Sequence, residues 1–263
     1  MASFSVINNI ASAQAQANLA ANSVNLNKTL DSLSSGLRIN YSGDDPAGLA
    51  VANSYRSDQA VINQGILNAN DGLSTLQIKD GALNNISTLL DRLATLASQS
   101  ASAGFQGDRG TLEQEFGSVI TEIDRESGVA GLNAAQNFSV FVGSGSTVGG
   151  TIGEVSSTSL GLAGLNISSS ASAESAVATV SAAVTTLGTV QGSVGTLENG
   201  LQYAVSLDQS QAVNLQAAES RIRDANMAQE SAAMTQESIL NQSGIAVLAQ
   251  ANQSSSAILA LLR

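Results

Sequence analysis

Paired carboxylates, a glycine-rich loop and a charged helix face are where chemistry would be sought in this chain. Asp44-Asp45 could exchange protons or hold a cation, but no second cluster of ligands accompanies the pair. A helix start explains it better: Asp45 is placed to cap exposed amides, and Pro46 suits the first helical position, where its missing N–H costs nothing. Glu122-Ile-Asp-Arg-Glu126 reads as a solvated helix face rather than a catalytic pair. The stretch 143–150 has neither the glycine spacing nor the Lys-Ser/Thr ending of a phosphate loop, so a hairpin turn is expected there.

The missing residue types are as informative. Histidine and cysteine are absent, which removes imidazole bases, thiol nucleophiles, disulfides and the commonest zinc sites. Lysine occurs only at Lys28 and Lys79, outside any glycine-rich loop. No catalytic residue, cofactor or metal is expected, and the chain does not read as an enzyme. A net charge of −11, from 10 Lys+Arg against 21 Asp+Glu, argues against a nucleic acid partner.

The elements that carry these residues are unusual. Charged residues make up 12% of the 263, roughly half the share of about 25% in ordinary domains. Aromatic residues are only 3%, so any core is built from small aliphatic side chains. No apolar run approaches the roughly 18 residues of a membrane span, and no membrane role is expected. Residues 1–10 lack a basic start and a continuous apolar core, so a cleaved secretory signal is not expected.

Periodicity predicts long helices. Val6, Ile10, Ala13, Ala17, Ala20 and Val24 alternate at four and three, the spacing of a coiled-coil seam. After a shift near Asn25 the stripe resumes at Leu26, Leu30, Leu33 and Leu37. A second long helix follows Pro46, with Ile62, Ile66, Ala69, Leu73 and Leu76 inward and the stripe continuing through Leu83, Ile86, Leu90, Leu93 and Ala97. A shorter helix is expected from Thr111 to about Ser127. Residues 138–142 and 151–155 read as strands flanking the glycine-rich turn. Helical periodicity returns near Ala173 and persists to the end, where Ile245, Leu248, Leu259 and Leu262 share a face with Ile258 beside it.

Charge patterning separates the ends from the middle. The first 27 residues contain no ionisable side chain, and none lies between Glu237 and Arg263. A soluble monomer normally covers such faces with Lys and Glu. A polymer core gives a reason to omit them, since desolvation costs several kcal/mol per ion. The ends are therefore expected to pair and to lie in a self-associated core, packing through Phe4, Val6, Ile10, Ile245, Leu248, Ile258, Leu259 and Leu262. Neither arm buries its apolar face alone, so both are expected to be largely disordered in the monomer.

Several motifs resemble those of one family. They are Ser34-Ser-Gly-Leu-Arg-Ile-Asn40, Asp44-Asp-Pro-Ala-Gly48, Asn68-Ala-Asn-Asp-Gly-Leu-Ser74 and Glu122-Ile-Asp-Arg125 in the first half. Ser159-Leu-Gly-Leu162, Ala218-Glu-Ser-Arg-Ile-Arg-Asp224, Ile239-Leu-Asn-Gln-Ser-Gly244 and Val247-Leu-Ala-Gln-Ala-Asn-Gln253 follow, ahead of the Ile258-to-Arg263 ending. In this order they are similar to bacterial flagellins over roughly 1–165 and 185–263.

The resemblance implies a mainly α fold of long antiparallel, coiled-coil-like helices from both chain ends, with a small β-hairpin in the middle. It implies an inner filament-core pair, 1–45 with 221–263, and an outer-tube domain, 46–220, with its hairpin region at about 138–167 and no additional outer domains. The implied function is a self-polymerising subunit of the extracellular flagellar filament, transmitting motor torque for swimming. Export would use the flagellar type III route without a cleaved signal. Implied partners are further copies of the chain, the hook-associated junction and cap proteins, and an export chaperone. Within the wider family the hook–filament junction protein is the rival, with an extracellular helical adhesin further off; the Val247–Gln253 run favours flagellin. Arg92, Leu96 and Glu115 match an epitope read by an animal Toll-like receptor. Ala94 and Thr95 replace the Arg-Glu pair of strongly recognised members, so weak or no recognition is expected.

Overall fold

The computed structural model describes residues 8–105, 107–143 and 145–261, with 254–261 described as helical backbone only. Among these residues the order is α1 (Ile10–Ser35), α2 (Pro46–Ala101), α3 (Arg109–Val129), β1 (Gln136–Phe141), β2 (Thr147–Ile152), α4 (Ser170–Arg223) and α5 (Met227–Leu261). The mainly helical architecture indicated by the sequence is what the chain adopts. It divides into two compact units, 58–213 and 1–57 with 214–263.

In the unit 58–213 the core is two heptad ladders. On α4 the buried positions are Ala173, Ala176, Val180, Ala183, Leu187, Val190, Val194, Leu197 and Leu201, an unbroken three-four alternation. On α2 the same alternation runs through Ile62, Gly65, Ala69, Gly72, Leu76, Lys79, Leu83, Ile86, Leu90, Leu93 and Ala97. Such spacing keeps one stripe of each helix inward over many turns. From Leu83 onward the α2 ladder is aliphatic, and α3 adds Phe116 and Ile123 to the same core. Each fully buried Leu or Ile contributes on the order of 1.5–3 kcal/mol.

Between Ile62 and Leu76 the α2 ladder turns small, because the hairpin lies against it. A Cβ on Gly65 would stand 2.3 Å from the Gly143 amide nitrogen, and one on Gly72 would meet Val140, Leu201 and Phe138. The hairpin occupies this groove. Its strands pair antiparallel from Gln136 with Ile152 to Phe141 with Thr147. The second strand thus lies at 147–152 and not at 151–155, and Gly149-Gly150 belong to the strand rather than to the turn. Close packing is the reason: a Cβ on Gly149 would approach the Phe138 carbonyl at 2.9 Å, and one on Gly150 would approach Leu197 at 3.1 Å.

Lys79 holds a ladder position although it is a cation. It is 7% exposed, and its ammonium donates to the carbonyls of Ala130 and Gly131 at 2.9 and 3.3 Å and to Gln136 Oε1 at 3.4 Å. These carbonyls follow the C-terminus of α3, where a cation is favoured. Burial pushes the Lys79 amine below its ordinary value. Acids on α3 bind the segment that leads to α4. Asp124 accepts from the Ser157 amide at 2.8 Å and from its hydroxyl at 2.7 Å, and Glu113 accepts from the Ile167 amide at 2.5 Å. The 122–126 face is therefore a clamp at Asp124, while Arg125 forms ion pairs with Glu122 and Glu126.

A break at 224–226 interrupts the helical period that the sequence pattern carried to the end. Asn226 caps α5 by accepting from the Ala228 amide at 3.2 Å. Asparagine is a favoured N-cap, so the signal was present but masked by uninterrupted apolar spacing.

Candidate functional site

The remaining unit, 1–57 with 214–263, is built on the antiparallel pair α1 and α5. Asn9 caps α1 by accepting from the Ser12 amide, and its own amide donates to the Ala251 carbonyl at 2.9 Å. Further along, the Ser12 hydroxyl donates to Asn252, Asn241 donates to the Ser23 hydroxyl at 3.1 Å, and the Thr29 hydroxyl donates to Glu237 at 2.9 Å. Leu19 packs over Gly244. The covered positions of α1 include Ser12, Ala15, Leu19, Asn22, Leu26, Thr29 and Leu33, again alternating at three and four. Only Ala15, Thr29 and Ser32 are buried.

This seam takes up Leu26 and Leu33 of the apolar stripe singled out in the sequence but not the first part of that stripe. Ile10, Ala13, Ala17, Ala20 and Val24 lie two positions out of phase with it, about 160° round the helix at 3.6 residues per turn. All five are exposed, Ile10 by 72% and Val24 by 66%. The helix thus carries two seams, one of mixed polarity and used within the chain, the other apolar and bare. On α5, Leu248 shares the half-buried face of Gly244 and Ala251, whereas Ile239, Leu240, Ile245 and Val247 are exposed. Phe4, Val6 and Leu262 lie outside the described residues, as do the side chains of Ile258 and Leu259.

Both arms leave the pair at one level. Gly36 closes α1 with φ 73°, a left-handed cap that glycine adopts without strain. Its carbonyl accepts from Ala225 at 2.9 Å, and the Arg38 amide donates to the Arg223 carbonyl at 2.7 Å. The turn that follows is fastened by Asp44, which pairs with Lys28 at 2.8 Å and accepts from the Asn40 and Tyr41 amides. The hydrogen bond from Lys28, then those from the backbone, hold the Asp44 carboxyl below its ordinary value. Asp45 accepts from the Gly48 amide at 2.9 Å, and Pro46 is the first residue of α2. A cleft of about 430 Å³ here mixes Lys28 and Arg38 with Asp44, Asp45 and Glu230. Lys28 pairs with Asp44 in it, and among the described residues no cluster of three acids could hold a metal.

In the other unit, Arg92 on α2 pairs with Glu115 on α3 at the surface. Leu96 is 1% exposed and belongs to the core.

Residues 6–139 match the bacterial flagellin N-terminal helical region, and residues 177–262 match the bacterial flagellin C-terminal helical region. The chain belongs to the bacterial flagellin family. The flagellar filament 33 kDa core protein of Treponema phagedenis is 34% identical over 98% of this chain and 100% of its own. A flagellin of Halalkalibacterium halodurans is 35% identical over 91% of this chain and 94% of its own. The solved Bacillus cereus flagellin covers 58% of this chain and 94% of its own, at 26% identity and a TM-score of 0.48. The assignment rests on the sequence matches. This flagellin is a structural subunit of the flagellar filament, not an enzyme.

Proposed function

We propose that copies of this flagellin meet in the filament along the bare α1 stripe of Ile10, Ala13, Ala17, Ala20 and Val24. Ile245 on α5 would join them, with Phe4, Val6, Ile258, Leu259 and Leu262 extending the same core and Leu248 helping to hold the pair together. One observation carries this reading: a charge-free apolar stripe lies exposed on a helix whose within-chain partner packs against a different face. Burying a large aliphatic side chain is worth on the order of 1.5–3 kcal/mol, and every copy repeats the gain. Axial packing of these arms would pass torque from the hook along the polymer.

Finer partners follow from the same exposed surface. Until it is covered in the polymer, the apolar face of α5 suits an export chaperone, and hook-associated junction and cap proteins would meet the arms at the filament ends. Passage to the exterior would use the flagellar type III apparatus. At the receptor-like epitope only the Arg92–Glu115 pair faces outward, with Leu96 buried, which supports weak or no Toll-like receptor recognition.

Seeded elongation tests the proposal. Ile10→Asp should fail to extend filament seeds while the unit 58–213 keeps its thermal unfolding transition. Filaments of normal length from this variant would overturn it. Wild-type protein that stops after a short layer on the seed would point instead to a junction protein.

A further inference from the structure

The tip of the hairpin rests on a carboxylate that the filament reading does not use. The tip is closed by the Val142 amide donating to Ser146 at 3.0 Å and the Ser146 amide donating to Gly143 at 2.9 Å. Gly143, at φ 56°, approaches α2 where Gly65 has no side chain. Asp208 of α4 closes the space from the other side. It is 4% exposed, and a Cβ on Gly143 would stand 3.4 Å from its Oδ2. Among the described residues that oxygen has no hydrogen-bond partner.

Among the described residues nothing nearby compensates the charge. Ile62 and Gly65 face the tip from α2, and the ionisable neighbours along that helix, Arg56, Asp58 and Asp71, are all exposed, Arg56 donating to Asn53. The tip itself carries only Val, Gly and Ser. On α4 the flanking ionisable groups are Glu198, Tyr203 and Glu219, with no cation between them. An isolated buried carboxylate relieves its desolvation by keeping its proton. Accordingly, burial alone pushes the Asp208 carboxyl up.

We propose that docking of the hairpin tip onto α2 and α4 is proton-linked through Asp208, which makes the hairpin a pH-responsive element of the subunit. A carboxyl raised in the docked state favours docking most strongly below its ordinary value of 3.8. Docking weakens as pH rises through the docked-state value and levels off above it. This goes beyond the filament reading and does not depend on it.

Hydrogen exchange on the full chain, corrected for the intrinsic pH dependence of exchange, tests the linkage between about pH 4 and pH 7. Protection of the amides in 136–152 should fall by up to about tenfold for each pH unit by which the docked value exceeds 3.8. Protection in 83–97 should stay constant. Asp208→Asn and Asp208→Ser should shrink the pH step in hairpin protection to the part contributed by Glu198, a second α4 carboxyl that burial raises. Titration of the Asp208 carboxyl signal by carbon NMR in the unsubstituted chain should show a raised midpoint, and it decides the matter if neither variant folds. An ordinary midpoint, pH-independent hairpin protection, or a pH response undiminished in a folded variant would each overturn the proposal.

Discussion

Leu19 sits in the notch that Gly244 leaves on the facing helix: a Cβ at position 244 would stand 3.2 Å from Leu19 Cδ1. The two arms approach through this notch, through Ser23–Asn241 and Thr29–Glu237, and over the half-buried Leu26 and Leu33 of α1. Their pairing is specific in register yet shallow, which leaves the apolar faces for other contacts.

The notch makes a graded prediction. Gly244→Ala should retain the pair, because the Leu19 methyl can turn aside, and α5 should gain about 1 kcal/mol in helix propensity. Gly244→Val brings a branched side chain against the same methyl and should separate the arms. Circular dichroism melting of the helical signal should rise for the first and fall for the second.

Two glycines of α2 should respond in opposite directions. Gly65→Ala drives a methyl into backbone, the Gly143 nitrogen lying 2.3 Å from the new Cβ, and should cost about 1–3 kcal/mol as the hairpin tip lifts. Gly81→Ala meets nothing within 4 Å and should stabilise by up to about 1 kcal/mol. Chemical denaturation of the two variants checks both signs.

Asp124→Ala leaves the amide and hydroxyl of Ser157 without their acceptor. A loss of about 1–3 kcal/mol is expected, with faster amide exchange around Ser157. Asp91→Ala, an exposed acid on α2, should stay within about 0.5 kcal/mol of the parent.

Asp44 sets an acid limit on the turn at 40–44. Its carboxyl is depressed in the folded chain, so its contribution is present above the ordinary value of 3.8 and lost as pH falls through the lower folded value. The amides of Asn40 and Tyr41, which donate to it, should lose protection in that acid range. Lys28→Met removes the largest cause of the depression and should move the loss to higher pH.

Much of this architecture was legible because long helices repeat their inward residues. The α2 and α4 ladders stand out wherever Leu, Ile or Val recur at three and four, and Pro46 marks a boundary by chemistry alone. Three features were hidden. The strand at 147–152 contains Gly149-Gly150, which read as turn until close contact with Phe138 and Leu197 explains them. The break at Asp224–Asn226 falls within unbroken apolar spacing. The third is the α1–α5 seam: Ser12, Thr29 and Ser32 are polar, and a search for apolar spacing selects the other face. Tertiary hydrogen bonding helps to position this seam, and hydrophobic periodicity shows only its Leu26 and Leu33 end. The residues of the candidate assembly face were readable as a stripe, but which seam stays within the chain required the partner helix.

An electron cryo-microscopy reconstruction of the polymerised protein tests the central claim most directly, because it reads what touches the bare face of α1. The side chains of Ile10, Ala13, Ala17, Ala20 and Val24 should lie within about 4.5 Å of atoms from a neighbouring copy. A reconstruction in which that face borders only solvent, with copies joined elsewhere, would contradict the account.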